Sequence, residues 1–527
     1  MRQPLLALVA AASLAGCASS LDNPLAVLAS GTSVVAERAV VTVDSNAHRI
    51  AVLVPTVEGT LARSYVSLKS PLVSLVTSSD GARTFVLTAG VAKTRTTPAV
   101  APELIVFAVD GVAVTDVHYT LPSGVGELTL DPSGAYAAVT PARSGNSALV
   151  VNPNALAIVD LHRTPSATNP LVRSLERNAS LAASLSFSPE LLTPKGARRF
   201  LVGIGPREAA LIDLAAAFGS VAAADTKIPL TSSGATSSLV PSAVRFDDGE
   251  ALLNDDARIA FSLTGEGSIL TATLLGNDAP LAGESDLRAV VNLTDVGAPV
   301  SDFAFLPTPE GRRIAALTPS RQRAVLADPA TSLTTRVPLA RAYNGLRVLP
   351  GATSSTVMLT ASGGSTGAVA LWDVPMTSDQ PYRAVEAVVN VRSLDEVKAV
   401  PGSATTFVVV SAGGSELVVL DTSSRTSTPV LTSTSTAVSL SRDGLRAYIV
   451  PRDGESSFAS LSLQNLTSSS FSAGAPSGIF GEIRRADGSP VVVFVQGSAS
   501  TSLSMFDPLH PEDLGKRWDD LLVEGVR

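Results

Sequence analysis

The stretch SLSRDGLRAYIV, residues 439–450, reads as two strands joined by a tight turn. Ser439-Leu440 leads into Asp443-Gly444, and Ala447-Tyr448-Ile449-Val450 runs out of it as a β-rich segment. A glycine at the centre of such a turn supplies positive φ at little steric cost, which a two-strand hairpin requires. A β-branched residue at Gly444 should therefore cost roughly 1–3 kcal/mol.

The chain writes this hairpin repeatedly. Versions are LVTSSDGARTFVLT (75–88), LTLDPSGAYAAVT (128–140) and FLPTPEGRRIAALT (305–318). Aligned on the turn glycine, the series runs Gly81, Gly134, Gly196, Gly311, Gly351, Gly402, Gly444 and Gly488, with gaps of 53, 62, 115, 40, 51, 42 and 44. The long gap holds a degenerate copy, LLNDDARIAFSL (252–263), with Asp256 in the glycine's place. A worn copy, VTVDSNAHRIAVLV (41–54), stands at the front with Ala47 at its turn. A period in the forties to fifties points to a β-repeat such as a propeller blade.

A second mark follows most of these glycines by 17 to 29 residues: an apolar run ending in Asp. The copies are LIVFAVD (Asp110), LAIVD (Asp160), ALIDL (Asp213), AVLAD (Asp328), VALWD (Asp373), LVVLD (Asp421) and LSMFD (Asp507). Two neighbours, 346–373 and 397–421, match along most of the unit. Here the chain resembles β-propeller repeats of the WD-repeat and YVTN type, over roughly residues 34 to 510. Only Trp372-Asp373 keeps the Trp-Asp form, and the Gly-His pair of true WD repeats is missing. An Asp at a strand end ordinarily accepts backbone N–H bonds in the turn that follows, and that role is expected of these.

The expected fold is all-β: one large propeller of about eight blades, or two smaller ones, because propellers typically close with four to eight. The front copy precedes the next by only 34 residues, so it is expected to supply strands near Val41–Val43 that pair with the last unit around Val491–Val495 and close the ring.

Composition supports this and narrows the function. Hydrophobic residues make up 45 % of 527, enough for a folded core, while charged residues are only 16 %. Ser, Thr, Gly and Pro fill the difference, suiting strands and turns. A net charge of −8 with no basic block argues against nucleic acid as a partner.

The N-terminus, MRQPLLALVAAASLAGC, has an early Arg2, a short apolar run and then small residues before Cys17. This reads as a secretory signal, too short to stay as a membrane span. Leu14-Ala15-Gly16-Cys17 resembles the bacterial lipobox. The resemblance implies cleavage between Gly16 and Cys17, diacylation of the Cys17 sulfur and acylation of the new amine. Three acyl chains exceed the two signals that stable anchoring needs. Ala18 and Ser19 follow with no Asp beside the Cys, which by analogy with known sorting favours the outer membrane. Cys17 is the only cysteine, so no intramolecular disulfide, cysteine nucleophile or cysteine zinc site is possible. The expected organisation is a signal peptide (1–16), a lipidated tether (17–33), the repeats (34–510) and a tail (511–527).

Candidate sites are few. Gly363-Gly364-Ser365-Thr366-Gly367 matches a G-x-S-x-G nucleophile elbow in form, but it lies between two strands where the elbow needs a strand-to-helix turn. His48, His118, His162 and His510 are scattered at no ligand spacing. DDGEALLNDD (247–256) is acidic but lacks the order of a Ca²⁺ loop. In the tail, Leu514, Trp518, Leu521 and Leu522 fall on one face of a helix expected to dock on the propeller. No catalytic residue, metal or cofactor is assigned. The expectation is a non-enzymatic interaction scaffold tethered by lipid in the bacterial envelope, with an envelope protein as partner. The alternative is a lactonase-like hydrolase or lyase with carboxylates and histidines at the central channel.

Overall fold

The computed structural model describes residues 32–44, 48–96, 98–122, 124–141, 155–174, 184–205, 208–219, 225–230, 241–247, 257–263, 267–281, 284–308, 311–349, 355–374, 385–411, 416–432, 435–451, 457–472, 478–496, 502–510 and 515–518. Cys17, the G-C cleavage point, Gly351, Asp256 and residues 248–256 of the acidic stretch lie outside them.

The repeat hairpin forms as its sequence dictates. In 441–446, Ser441 N–H donates to the Arg446 carbonyl at 2.9 Å and Gly444 N–H to the Ser441 carbonyl at 3.0 Å. The Asp443 carboxylate accepts from Leu445 N–H at 2.9 Å, and the Ser441 hydroxyl accepts from Arg446 N–H at 2.8 Å. Residues 78–83 repeat these bonds atom for atom. Gly81, Gly134 and Gly444 sit at φ +72°, +70° and +71°.

Around these hairpins the described residues build ten four-stranded sheets, each a blade of the β-propeller kind: 32–67, 72–120, 125–174, 184–229, 241–295, 302–338, 345–391, 394–431, 435–472 and 478–518, numbered here sheets 1 to 10. In nine of them four successive strands pair in chain order. Sheet 4 carries an extra hairpin, Leu191–Thr193 with Gly196–Arg198, between its first and second strands. Gly196 therefore marks this insert and not the blade's own first turn.

Ten blades replace the expected eight, because each of the ten marks owns a full sheet. The short front spacing does not mean missing strands. Sheet 1 fits Thr32–Val35, Val40–Asp44, Arg49–Pro55 and Leu61–Ser67 by using very short links; Ala47, in the glycine's place, lies outside the described residues, and the next residue, His48, stands at φ +48°.

The two middle strands of each sheet are the most apolar because both of their faces are covered. Arg49–Pro55 (RIAVLVP) is buried at every position, and Gly367–Val374 at all but Asp373. The outer strands are mixed, as in Leu61–Ser67 and Ala113–Thr120.

The chain divides into two compact units: residues 1–123, 454–460 and 468–527, and residues 124–453 and 461–467. In the first, strand alternation sends successive side chains to opposite neighbours. Ile50, Val52 and Val54 pack with Leu75, Val86, Ile105 and Phe107 of sheet 2. Ala51 and Leu53 pack with Ile483, Val491, Val493, Leu503 and Met505 of sheet 10. The ends of the chain thus meet, but by face-to-face packing. Val41–Val43 pairs with strands of its own sheet, so the expected ladder to 491–495 does not form, and Val40, Ala51 and Leu53 of sheet 1 meet Val491 and Val493 by side-chain contact instead.

The tail is also corrected. Lys516–Trp518 is the outer strand of sheet 10, paired to Leu503–Met505, and no helix begins there. Leu514, Leu521 and Leu522 lie outside the described residues, and Trp518 packs on the sheet 1/sheet 10 core. Helix is nearly absent among the described residues: one turn at Leu214–Ala217 and a 3₁₀ turn at Pro319–Arg321. None of their helices is long and apolar enough to cross a membrane.

In the second unit the cores join sheets 3 with 4, 4 with 5, 5 with 6, 6 with 7 and 7 with 8. Trp372 is fully buried in the core of sheets 6 and 7. The first strands of sheets 5, 6 and 7 (Pro241–Asp247, Asp302–Thr308, Gly345–Leu349) lie side by side.

Candidate functional site

The strand-end aspartates are where a shared chemistry would have to begin. Most hold turns. Asp160, Asp213, Asp328, Asp421 and Asp507 each accept a backbone N–H from two or three residues onward, at 2.8 to 3.1 Å. Arginines take up the second oxygen in several cases: Arg163 on Asp160, Arg198 on Asp213, Arg313 on Asp328 and Arg485 on Asp507. Asp373 accepts from the Thr356 hydroxyl at 2.9 Å and pairs with Arg425 of the next sheet. The Ser423 hydroxyl, reinforced by the N–H groups of Ser423 and Ser424, holds the Asp421 carboxyl below the usual carboxylate range. At Asp328 burial opposes the charge, but the N–H groups of Ala330 and Thr331 together with Arg313 outweigh it, and its pKa also falls. Groups held charged this way are poor proton shuttles near neutral pH.

Asp110 differs. Its strand turns back through Gly111 (φ +61°) and Val112, with Asp110 directly opposite Ala113. So tight a turn leaves no loop N–H to cap. The Asp110 carboxylate is exposed and makes no hydrogen bond or ion pair among the described residues.

It lines a cavity of about 320 Å³ between sheets 1 and 2, with Ala36, Glu37, Arg38, Val41, Gly81, Ala82, Thr84, Phe107 and Val109. The 36–39 loop of sheet 1 is fixed from both sides: Glu37 N–H donates to the Gly81 carbonyl at 2.7 Å, and Arg484 N–H donates to the Glu37 carbonyl at 2.8 Å. Arg38, on that loop, is half-buried and also has no partner among the described residues.

The first strands of sheets 5 to 8, called the inner strands below, carry a different set of charges. Arg245 Nη2 binds Asp302 Oδ1 at 2.8 Å, and Arg245 Nε donates to the Phe303 carbonyl at 3.0 Å. Asp302 Oδ2 accepts from Leu346 N–H at 2.9 Å, so one carboxylate joins sheets 5, 6 and 7. Lys398 pairs with Glu396 at 2.9 Å, and the Arg347 guanidinium lies 5.4 Å over the Phe407 ring. Behind them Arg312 and Asp247, 5 % and 1 % exposed, form a 3.0 Å pair between sheets 5 and 6. This places the first residue of the acidic stretch in an ion pair. Sequence reading missed Arg245, Asp302 and Arg347; the signal was a charge in a largely apolar first strand.

The remaining candidates separate. Ser365 sits in an exposed bend between Ser355–Ala361 and Gly367–Val374, and no helix follows, so the elbow geometry is missing. His48 holds a turn, and the backbone N–H groups of His162 and His510 bond to Asp160 and Asp507. His118 lies between two carboxylates, Nδ1 3.0 Å from Glu103 and Nε2 2.7 Å from Asp116, while Lys69 holds the other Glu103 oxygen at 3.0 Å. Burial raises the Glu103 pKa, but His118 and Lys69 outweigh it and the net shift is downward. No three His, Cys, Asp or Glu side chains among the described residues stand in metal-holding geometry.

These features define an all-β protein of propeller blades with WD-repeat-like strand ends. No family model matches the chain, and neither does any curated protein sequence. Solved structures similar to it include dihydro-heme d1 dehydrogenase NirN in complex with DHE (12 % identity, 86 % of this chain and 79 % of that one, TM-score 0.38). Another is a eukaryotic initiation factor (13 %, 81 % and 96 %, TM-score 0.46). A third is apo AztD from Citrobacter koseri (13 %, 76 % and 94 %, TM-score 0.35). At these identities and scores they lend nothing to the reading of this chain's chemistry.

Proposed function

We propose that the protein is a non-enzymatic interaction scaffold, held by lipid on Cys17 to a bacterial membrane, the outer one by the residues after the cysteine, and binding an envelope protein partner. The observation that carries this is the employment of its acids. Five of the seven strand-end aspartates cap the turns that follow them, four of those five also bind arginines, and the first-strand acid Asp302 staples three sheets together. Carboxylates committed to structure hold a rigid frame, and such a frame presents loops at fixed spacing. The lipobox supplies the tether.

The test separates this from lactone or ester hydrolysis. The purified chain is assayed on lactone and aryl-ester substrates, and in parallel used to capture cross-linked partners from solubilised membranes of its own source. The proposal expects one partner in stoichiometric amount and no turnover above background. Turnover that disappears in Asp395→Asn or Glu396→Gln, the exposed inner-strand acids, would replace it with the hydrolase reading.

A further inference from the structure

The geometry points to a small-molecule site in the cavity between sheets 1 and 2, built for a zwitterion of the α-amino-acid class with an aliphatic side chain. Its volume, about 320 Å³, stands at the lower end of ligand pockets, which suits a single small metabolite. Its lining divides by chemistry. Val41, Phe107 and Val109 form an apolar wall, and the first two are almost fully buried. Arg38 and Asp110, opposite in charge, both line the same space, and Glu37, engaged through its backbone on both sides, lines it too.

Neither charge has work to do in the fold. Asp110 is released from its turn, because Gly111-Val112 closes that hairpin without help. Arg38 stands on a loop whose backbone is pinned at Glu37 by Gly81 and Arg484, so its backbone is held in place before any ligand arrives. A guanidinium matches a carboxylate bidentately, and a carboxylate matches an ammonium. A molecule carrying both on one carbon, with an aliphatic tail for the apolar wall, satisfies all three parts at once. A simple anion or a simple amine would leave one of the two charges unmet. The site is independent of the tether and of the scaffold reading.

The test uses the full chain and L-leucine as probe, by isothermal titration. Two truncated probes accompany it: leucinol, which lacks the carboxylate, and 4-methylpentanoate, which lacks the amine. Leucine should bind at least about tenfold more tightly than either, the worth of one charge-assisted hydrogen bond. Arg38→Met should weaken leucine and 4-methylpentanoate by a similar factor and leave leucinol unchanged. Asp110→Asn should weaken leucine and leucinol and leave 4-methylpentanoate unchanged. Circular dichroism of each variant, matching the parent, excludes misfolding as the cause. The inference is overturned if leucine shows no binding at millimolar concentration, if leucinol binds as well as leucine, or if both variants bind leucine as the parent does.

Discussion

Gly444 offers the sharpest test of how neighbouring blades are fitted together, because Gly402 supplies its control. Both sit at positive φ, +71° and +76°, at equivalent turns of sheets 9 and 8. A Cβ on Gly402 would meet nothing within 4 Å, whereas one on Gly444 would stand 2.1 Å from the Pro401 carbonyl oxygen and 3.1 Å from Val400 Cγ1. Gly402→Ala should therefore cost only the left-handed backbone penalty, about 1–2 kcal/mol. Gly444→Ala adds an overlap with backbone that can be relieved only by moving the sheet 8 turn, a further ~1–3 kcal/mol. The total of roughly 2–5 kcal/mol exceeds what the turn alone predicts. Native-state hydrogen exchange on peptides covering 394–411 and 435–451 reads both sheets, and a difference of 2 kcal/mol appears as an approximately 30-fold faster exchange. Gly444→Ala should loosen both peptides, Gly402→Ala chiefly the first. Equal effects of the two substitutions would refute the contact between the turns.

Other predictions follow from the same packing. Asp302→Ala removes a carboxylate shared by three sheets and should cost about 2–4 kcal/mol, with exchange rising in 241–247 and 345–349 as well as in its own strand. Leu53→Ala, at a site 1 % exposed, should cost about 2–5 kcal/mol and loosen residues 490–496 as much as sheet 1; unchanged protection there would mean that the chain ends do not support each other. Glu103 has a depressed pKa, so its contribution is complete above its ordinary value of 4.5 and is lost as pH falls through the lower folded value. Glu103→Gln should accordingly flatten the loss of stability of sheet 2 between about pH 5 and 3, measured by urea midpoints at each pH.

The hairpin unit was plain in the sequence because its chemistry is local: Ser441, Asp443 and Gly444 dictate a turn whose bonds all close within six residues. Sheet count was less plain. The front copy looked too short for a blade, since spacing between marks measures loops as well as strands, and sheet 1 has almost no loops. Gly196 misled for the opposite reason: an inserted hairpin carries the same turn chemistry as the blade itself. The tail's apolar spacing fitted a helix over 514–522, yet Trp518 lies on a strand, where the unpaired edge of Ser502–Phe506 decides the conformation. The cavity was hidden because Asp110 reads like its six counterparts. Only the glycine directly after it signals a turn that needs no cap, and Arg38 becomes relevant only once sheets 1 and 2 face each other.

The tethered-scaffold account rests first on Cys17, and intact-mass and tandem mass spectrometry of the chain recovered from membranes tests it directly. The account predicts a mature protein that begins at Cys17, carries a thioether-linked diacylglycerol and an N-acyl chain, and is lost from the membrane fraction on Cys17→Ser. A mature chain that begins at any other residue, or one that starts at an unmodified Cys17, would contradict it.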